Sequence, residues 1–117
     1  MDDLKYSELR EANIKRLPLF KNKRGSLAHS KPDGSDWTPL EWIGAAVGEL
    51  GECANRIKKV KRGDVDLEEE RIEIGKEIAD VAIYLDLLAY QYRLDLGKLV
   101  RDKFNEVSDR VGVDVKL

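Results

Sequence analysis

The sequence predicts an all-α protein built from four helices in a single domain. The chain has 117 residues, of which 23 are acidic, 21 are basic and only 3 are proline, and its formal net charge is -2. Charged residues make up 38% and hydrophobic residues 42%, which is typical of amphipathic helices and too apolar for a disordered chain. Apolar residues recur three and four positions apart, whereas strand-like alternation is confined to residues 111–115.

The first helix and the loop after it are marked by local signals. Ser7 is the predicted cap of the helix, and Pro18 is predicted to stop it. Residues 18–38 are rich in Pro, Gly, Lys and Ser, and they predict a long loop of the kind that often binds substrate. Since the chain is too short for two cores, we expect one domain over residues 1–117, with its core at about 38–112.

Each of the other three helices has a capping signal at its start, and two of them have a glycine at their end. The start signals are Thr38, either Asp64 or Asp66, and Asp95, and the stop signals are Gly63 and Gly112. On the second helix, a stripe at spacings of four and three predicts the core face: Ile43, Val47, Leu50, Ala54 and Ile57. The third helix is apolar on two sides, which indicates burial between neighbours or in an oligomer interface.

Composition also narrows the class of protein. Cys53 is the only cysteine, so an intramolecular disulfide is excluded and a reducing compartment is expected. The acidic N-terminus does not resemble a signal peptide, and no apolar run reaches the length of a membrane span. The near-zero net charge argues against stable nucleic-acid binding over the whole surface. We therefore expect a cytoplasmic protein, in the host cytoplasm if it is phage-encoded.

Two acidic pairs, Glu49 with Glu52 and Glu77 with Asp80, differ from the other acidic residues because small and apolar residues surround them. The i,i+3 spacing places both members of a pair within about 60° on one helix face. Like charges so placed repel, and partial burial adds to the cost unless the carboxylates share a cation. Hard oxygen ligands from two helices suit Mg²⁺ or Mn²⁺. The alternative interpretation is a pair of boundary faces bridged by Lys or Arg.

Other metal sites fit the sequence less well. The chain contains no Glu-x-x-His pair, and its one histidine, His29, lies in the predicted loop. These absences argue against a ferritin-like di-iron bundle and against a histidine-ligated zinc site.

The ordered acidic motifs resemble the signature of the MazG-like, all-α nucleoside triphosphate pyrophosphohydrolases. The pattern is Glu-x-x-Glu, then 24 intervening residues, then Glu-x-x-Asp over residues 49–80. The resemblance covers roughly residues 7–112 and is closest to the small single-domain forms of phages and bacteria. The segments that strengthen it are 48–52, 54–59, 61–63, 77–84 and 103–110.

The resemblance implies an enzyme that hydrolyses a (deoxy)nucleoside triphosphate to the monophosphate and pyrophosphate, in nucleotide-pool control or DNA precursor supply. It implies a four-helix core completed in a homodimer or homotetramer. It also implies that Glu49, Glu52, Glu77 and Asp80 hold Mg²⁺, which acidifies a bound water. Either Glu49 or Glu52 is then the catalytic group that orients this water or accepts its proton.

Further residues are implied or suggested as substrate contacts. Lys103 and Arg110, accompanied by Asn105, match family positions in the fourth helix, and Asn13 and Arg16 resemble an Asn-x-x-Arg element of small family members. Salt bridges to surface acidic residues are the alternative explanation for the fourth-helix cations.

Three other contacts are suggested by position alone. Lys59 follows the first acidic pair and is placed to reach phosphate, although it equally complements the helix dipole. Tyr84 lies one turn beyond Asp80 and either contacts the sugar, supports a ligand or belongs to the bundle core. Trp37 ends the loop and either stacks on a base or staples the second helix.

Alternative functions are a non-catalytic helical interaction module or a diphosphohydrolase of the same fold dedicated to dUTP, dGTP or phosphoribosyl-ATP. A further expectation concerns Asp86, which lies among apolar residues on the third helix. We expect it to form a buried pair across an oligomer interface, with an Arg or a Tyr.

Overall fold

The computed structural model describes residues 2–19 and 37–117, and this part of the chain is helical with no strand. The all-α prediction is therefore confirmed. The elements are α1 (Tyr6–Arg16), a 3-10 turn (Leu17–Leu19), α2 (Pro39–Arg62), α3 (Leu67–Gln91) and α4 (Leu96–Val111). Most of the predicted loop, residues 20–36, lies outside the described residues.

Most helix boundaries follow the local signals. Asp66 rather than Asp64 caps α3, because its side chain accepts a hydrogen bond from the Glu68 backbone N–H at 3.2 Å. The Asp95 side chain accepts from the Lys98 backbone N–H at 3.1 Å and caps α4. Gly63 and Gly112 end α2 and α4 with φ angles of 81° and 74°, in the left-handed region that glycine adopts without a steric penalty.

The predicted start of α1 was wrong by two residues. Lys5 is the N-cap, and Ser7 already lies inside the helix. The reason is that the Glu8 carboxylate accepts a hydrogen bond from the Lys5 backbone N–H at 2.9 Å, which satisfies this donor one residue before the helix. Thr38 is the N-cap of α2 as predicted, although its hydroxyl donates to the Glu41 carboxylate instead of accepting from the backbone.

Helices α2 and α3 form an antiparallel hairpin at the centre of the molecule. The start of α2 contacts the end of α3 through Trp42 and Tyr84, whereas the end of α2 contacts the start of α3 through Arg56 and Glu70. The short connection between the helices favours this arrangement. A small core lies at the first of these ends, and its members are Leu17, Trp42 and Leu87, with Trp37, Ile83, Tyr84 and Leu88 packed against them.

The predicted core face of α2 does not pack against α3. The buried residues of α2 are Trp42, Ala46 and Cys53, which lie on a neighbouring face. In contrast, Val47 and Leu50 of the predicted stripe are 59% and 57% exposed. Periodicity identifies an apolar face, but it does not say which element covers it, and here α3 packs on the face that carries the large Trp42 side chain.

Helix α1 is fixed to α3 by a buried carboxylate. Asp86 is 1% exposed, and it accepts hydrogen bonds from Arg10 Nε at 3.2 Å and from Asn13 Nδ2 at 2.9 Å. The expected buried pair with an arginine is confirmed, but its place in an oligomer interface was wrong, because the arginine belongs to α1 of the same chain. Sequence separation hides this contact, since α1 and α3 are far apart along the chain.

The single chain leaves extensive apolar surface exposed. Helix α4 contacts α1 near Tyr6 and Gly97, where a Cβ on the glycine would lie 3.0 Å from Tyr6 Cβ. Phe104 of α4 is 42% exposed and Ile78 of α3 is 58% exposed. The radius of gyration is 17.1 Å, whereas a compact chain of this length has one of about 13 Å. Within the described residues, every helix is too short or too polar to cross a membrane.

Candidate metal centre

The hairpin brings acidic side chains from both helices together. Glu49 lies on α2 two turns after Trp42, and it faces Glu77 and Asp80 of α3. One carboxylate oxygen from each of these three residues lies within 4.8 Å of the other two. We call Glu49, Glu77 and Asp80 the acidic triad. Antiparallel pairing explains the convergence, because the middle of α2 lies opposite the middle of α3.

Crowding of negative charge changes the acidity of Glu49. A hydrogen bond with Glu77 is the main cause that raises the pKa of Glu49 to about 7, and partial burial is the second. The negative charges of Asp80, Glu77 and Glu52 raise it further. Near neutral pH, Glu49 is therefore partly protonated and shares its proton with Glu77.

Glu52, the fourth predicted ligand, stands apart from the triad. It lies on α2 three residues after Glu49, its side chain is exposed, and its charge acts on Glu49. Its assignment as a metal ligand or as the group that orients water stays a prediction. The structure thus brings together one member of the first predicted pair and both members of the second.

Arg56 is a neighbour of the triad that the sequence did not single out as a site residue. Its Nη1 donates to Glu70 Oε2 at 2.8 Å, and its Nε donates to Glu77 Oε1 at 3.4 Å. The hydrogen bond to Glu70 is also the main cause that raises the pKa of Arg56. The bridged arrangement left open as an alternative therefore applies to Glu77. The sequence feature that could have identified Arg56 is its spacing of seven residues from Glu49, which places both on one face of α2.

Aromatic side chains lie beside the triad. Trp42 is 0% exposed, and its ring centroid lies 4.5 Å from Trp37 and 6.3 Å from Tyr84. Burial raises the pKa of the Tyr84 phenol, the charges of Glu49 and Asp80 add to the rise, and Arg16 opposes it. Tyr84 therefore lies within electrostatic range of the triad and of a cation on α1.

The position of Trp37 matches the stapling alternative. Thr38 is the N-cap of α2, so Trp37 precedes the cap and Trp42 is the fourth residue of the helix. Apolar contact between these two positions is the hydrophobic staple that fixes how the chain enters a helix. Base stacking by Trp37 stays a prediction.

Most of the other predicted substrate residues have partners elsewhere. Asn13 is 3% exposed and donates to Asp86, which makes it an anchor of α1. Lys103 pairs with Glu106 at 3.2 Å on α4, as the surface alternative proposed. The Asn105 side chain exchanges two hydrogen bonds with the backbone of Leu117. The remaining predicted cations, Lys59 and Arg110, are exposed near the ends of α2 and α4.

Comparison with known proteins adds little to this geometry. The chain is 35% identical over 66 residues to the Gene 37 protein of Mycobacterium phage L5. The match covers 55% of this chain and 58% of the phage protein, so it spans less than two thirds of that relative. No protein-family model matches the chain, and no solved structure matches it.

Proposed function

We propose that the chain is a metal-dependent hydrolase that converts (deoxy)nucleoside triphosphates to the monophosphate and pyrophosphate, as the MazG-like enzymes do. The observation that supports this is the convergence of Glu49 from one acidic motif with Glu77 and Asp80 from the other. The resemblance of the ordered motifs to this family predicts the same two helices as the source of the ligands.

The triad suits a hard divalent cation. Its ligands are carboxylate oxygens, which Mg²⁺ and Mn²⁺ prefer, and they come from two helices that the core holds together. A cation held by the triad would offset the charge of its carboxylates and would compete with the proton that Glu49 shares with Glu77. When bound, such an ion neutralises phosphate charge and makes a coordinated water more acidic.

Side chains of this protein have separate roles in the proposed hydrolysis. Water attacks the α-phosphorus, the bond to the bridging oxygen breaks, and pyrophosphate leaves. Either Glu49 or Glu52 accepts the proton of the attacking water. Arg56 holds Glu77 from the side. Arg16, near Tyr84, supplies positive charge for the triphosphate.

Oligomerisation belongs to the same proposal. Apolar side chains on α2, α3 and α4 are more than a third exposed in the single chain, and contiguous exposed apolar surface marks interaction sites. Further copies of the chain cover these faces and complete the four-helix core. Assembly is also the route by which Lys103, Asn105 and Arg110 approach a triphosphate bound at the triad.

A non-catalytic helical interaction module is the second candidate. The Arg56–Glu77 ion pair favours it, because an ion pair with an arginine gives Glu77 a structural role that needs no metal. This candidate predicts no hydrolysis and no increase in melting temperature with Mg²⁺ or Mn²⁺.

The test is a screen of the eight common NTPs and dNTPs with Mg²⁺ and with Mn²⁺, with pyrophosphate as the readout. We expect turnover of at least one substrate and its loss in Glu49→Gln and Asp80→Asn. Glu73→Gln is the matched control, since Glu73 lies on α3 and pairs with Lys76 at 3.0 Å outside the triad. Activity on dUTP or dGTP alone would indicate a dedicated enzyme. Full turnover in both triad variants would overturn the proposal.

A further inference from the structure

The contact between α1 and α3 depends on one buried charge. The Asp86 carboxylate accepts from Arg10 Nε at 3.2 Å and from Asn13 Nδ2 at 2.9 Å, and Arg10 Nη2 lies 3.1 Å from the same carboxylate as an ion pair. A buried carboxylate is costly unless charged and polar donors surround it. In this case both donors come from α1, and they lie three residues apart on one face of that helix.

These hydrogen bonds fix how far α1 is shifted along α3. Arg10 Nη2 also donates to the Leu94 carbonyl at 2.7 Å, beyond the end of α3, whereas Asn13 Nδ2 reaches back to the Ile83 carbonyl at 3.4 Å. As the residue number rises on α1, it therefore falls on α3, and the two helices are antiparallel. Apolar contacts tolerate sliding, but directional bonds to one carboxylate do not.

Arg16 lies further along α1, turned about 60° around the helix axis from Asn13 and about 120° from Arg10. It follows Asn13 by three residues, so the helical rise carries it about 4.5 Å further along α1, away from Asp86 and toward the level of the triad. Burial and the negative charges of Glu49 and Asp80 raise the pKa of Tyr84, and the positive charge of Arg16 lowers it. All three residues therefore lie within electrostatic range of Tyr84. The register set at Asp86 therefore decides where Arg16 lies relative to these carboxylates.

We propose that Asp86 is a positioning residue: through Arg10 and Asn13 it holds α1 in the register that places Arg16 at the triphosphate side of the acidic triad. This inference rests on the proposed function, since it assigns Asp86 a part in binding a nucleoside triphosphate. Asp86 does not touch the substrate itself. Its influence passes through α1 to a guanidinium group that suits phosphate oxygens.

The test compares metal binding with nucleotide binding in Asp86→Asn. The probes are Mg²⁺ alone and a non-hydrolysable α,β-imido deoxynucleoside triphosphate, both measured by calorimetry. We expect Mg²⁺ affinity to stay within about twofold of the wild type, because the triad is on α2 and α3. We expect nucleotide affinity to fall about tenfold, as for the loss of a charge-assisted hydrogen bond.

Combining this change with Arg16→Gln separates positioning from simple destabilisation. If Asp86 acts through Arg16, then Arg16→Gln weakens nucleotide binding in the wild type and has little further effect in Asp86→Asn. Additive losses would overturn the proposal. Glu11→Gln is the control on the outer face of α1, and Ala89→Gly is the control for general destabilisation of α3. Neither is expected to change nucleotide affinity.

A second variant covers the case in which Asp86→Asn does not fold. Arg10→Lys keeps the positive charge but loses the planar group that bonds Asp86 and the Leu94 carbonyl together. We expect it to reproduce the loss of nucleotide affinity, and wild-type affinity in this variant would contradict the proposal.

The register itself is measured without any ligand. Spin labels at Lys15→Cys and Lys76→Cys, in a Cys53→Ala background, report the separation of α1 from α3. We expect a narrow distance distribution that broadens or shifts in Arg10→Lys. An unchanged distribution would overturn the positioning role. If the wild type binds neither Mg²⁺ nor nucleotide, the proposed function fails, and the nucleotide-binding part of this inference fails with it. The distance measurement still decides whether Asp86 sets the register.

Discussion

Arg56 of α2 donates a hydrogen bond across the hairpin to Glu77 of α3 at 3.4 Å, and Glu77 also shares a hydrogen bond with Glu49. Glu77 therefore lies between a positive group on one side and a second acidic group on the other. Arg56 reduces the net negative charge that a cation would meet. Glu77 raises the pKa of Glu49, so Glu49 keeps its proton to higher pH.

Replacing Arg56 is expected to strengthen cation binding. Arg56→Gln removes a positive charge that competes for Glu77, so Mg²⁺ affinity should rise severalfold, as calorimetry would measure. Arg62→Gln is the matched control, since Arg62 is also on α2 but pairs with Asp64 at 2.8 Å outside the triad. Weaker Mg²⁺ binding in Arg56→Gln would instead mean that the arginine is needed to orient Glu77.

Removing the carboxyl group of Glu49 is expected to change how stability depends on pH. The pKa of Glu49 is about 7 in the folded chain and near the ordinary 4.5 when unfolded. The folded state therefore binds more protons between these values, and without metal its stability falls as pH rises from about 4.5 to about 7. We expect a fall of about 1 kcal/mol from this group, reduced from the full linkage by the nearby solvent.

The comparison is between thermal unfolding of the wild type and of Glu49→Gln, across pH 5 to 8 without divalent ions. The amide does not titrate, so this variant should lose that part of the pH dependence. With Mg²⁺ present, the rise in melting temperature of the wild type should grow as pH passes through about 7, because metal and proton compete for Glu49. A metal effect that does not change with pH would contradict the shared site.

The cap of α3 offers a test of local structure. Asp66→Ala removes the side-chain acceptor of the Glu68 N–H and should lower the free energy of unfolding by about 1 kcal/mol. Asp64→Ala is the matched control, because the Asp64 side chain forms an exposed ion pair with Arg62, and its effect should stay within about 0.5 kcal/mol. Urea unfolding measures both, and an equal effect of the two changes would contradict the assigned cap.

The exposed stripe of α2 is expected to lie in an interface between copies. Val47→Glu and Leu50→Lys place charge on a face that is more than half exposed in the single chain. If copies cover this face, each change should shift the mass measured by sedimentation to a smaller species. Lys59→Glu alters an exposed charge of α2 on a different side of the helix from the stripe and should leave the mass unchanged. A wild type that sediments as a monomer would refute the proposed assembly.

Local chemistry made several features predictable from the sequence. Asp95, Gly63 and Gly112 mark helix ends because a cap bonds the backbone two or three residues away, and a glycine can adopt a positive φ without a steric penalty. The spacing of apolar residues indicated helices because residues three and four apart lie on one face of a helix. The acidic pairs were recognisable because their neighbours are small and apolar.

Tertiary structure alone decided which faces meet. The sequence predicted that the stripe containing Val47 is the core face of α2, whereas α3 packs on the face with Trp42 and leaves that stripe exposed. The sequence contains several cations that could pair with these carboxylates, and the fold pairs Arg10 with Asp86 and Arg56 with Glu77. Such choices depend on contacts between segments far apart in the chain, where shape and charge complementarity compete, and no local pattern records the outcome of that competition.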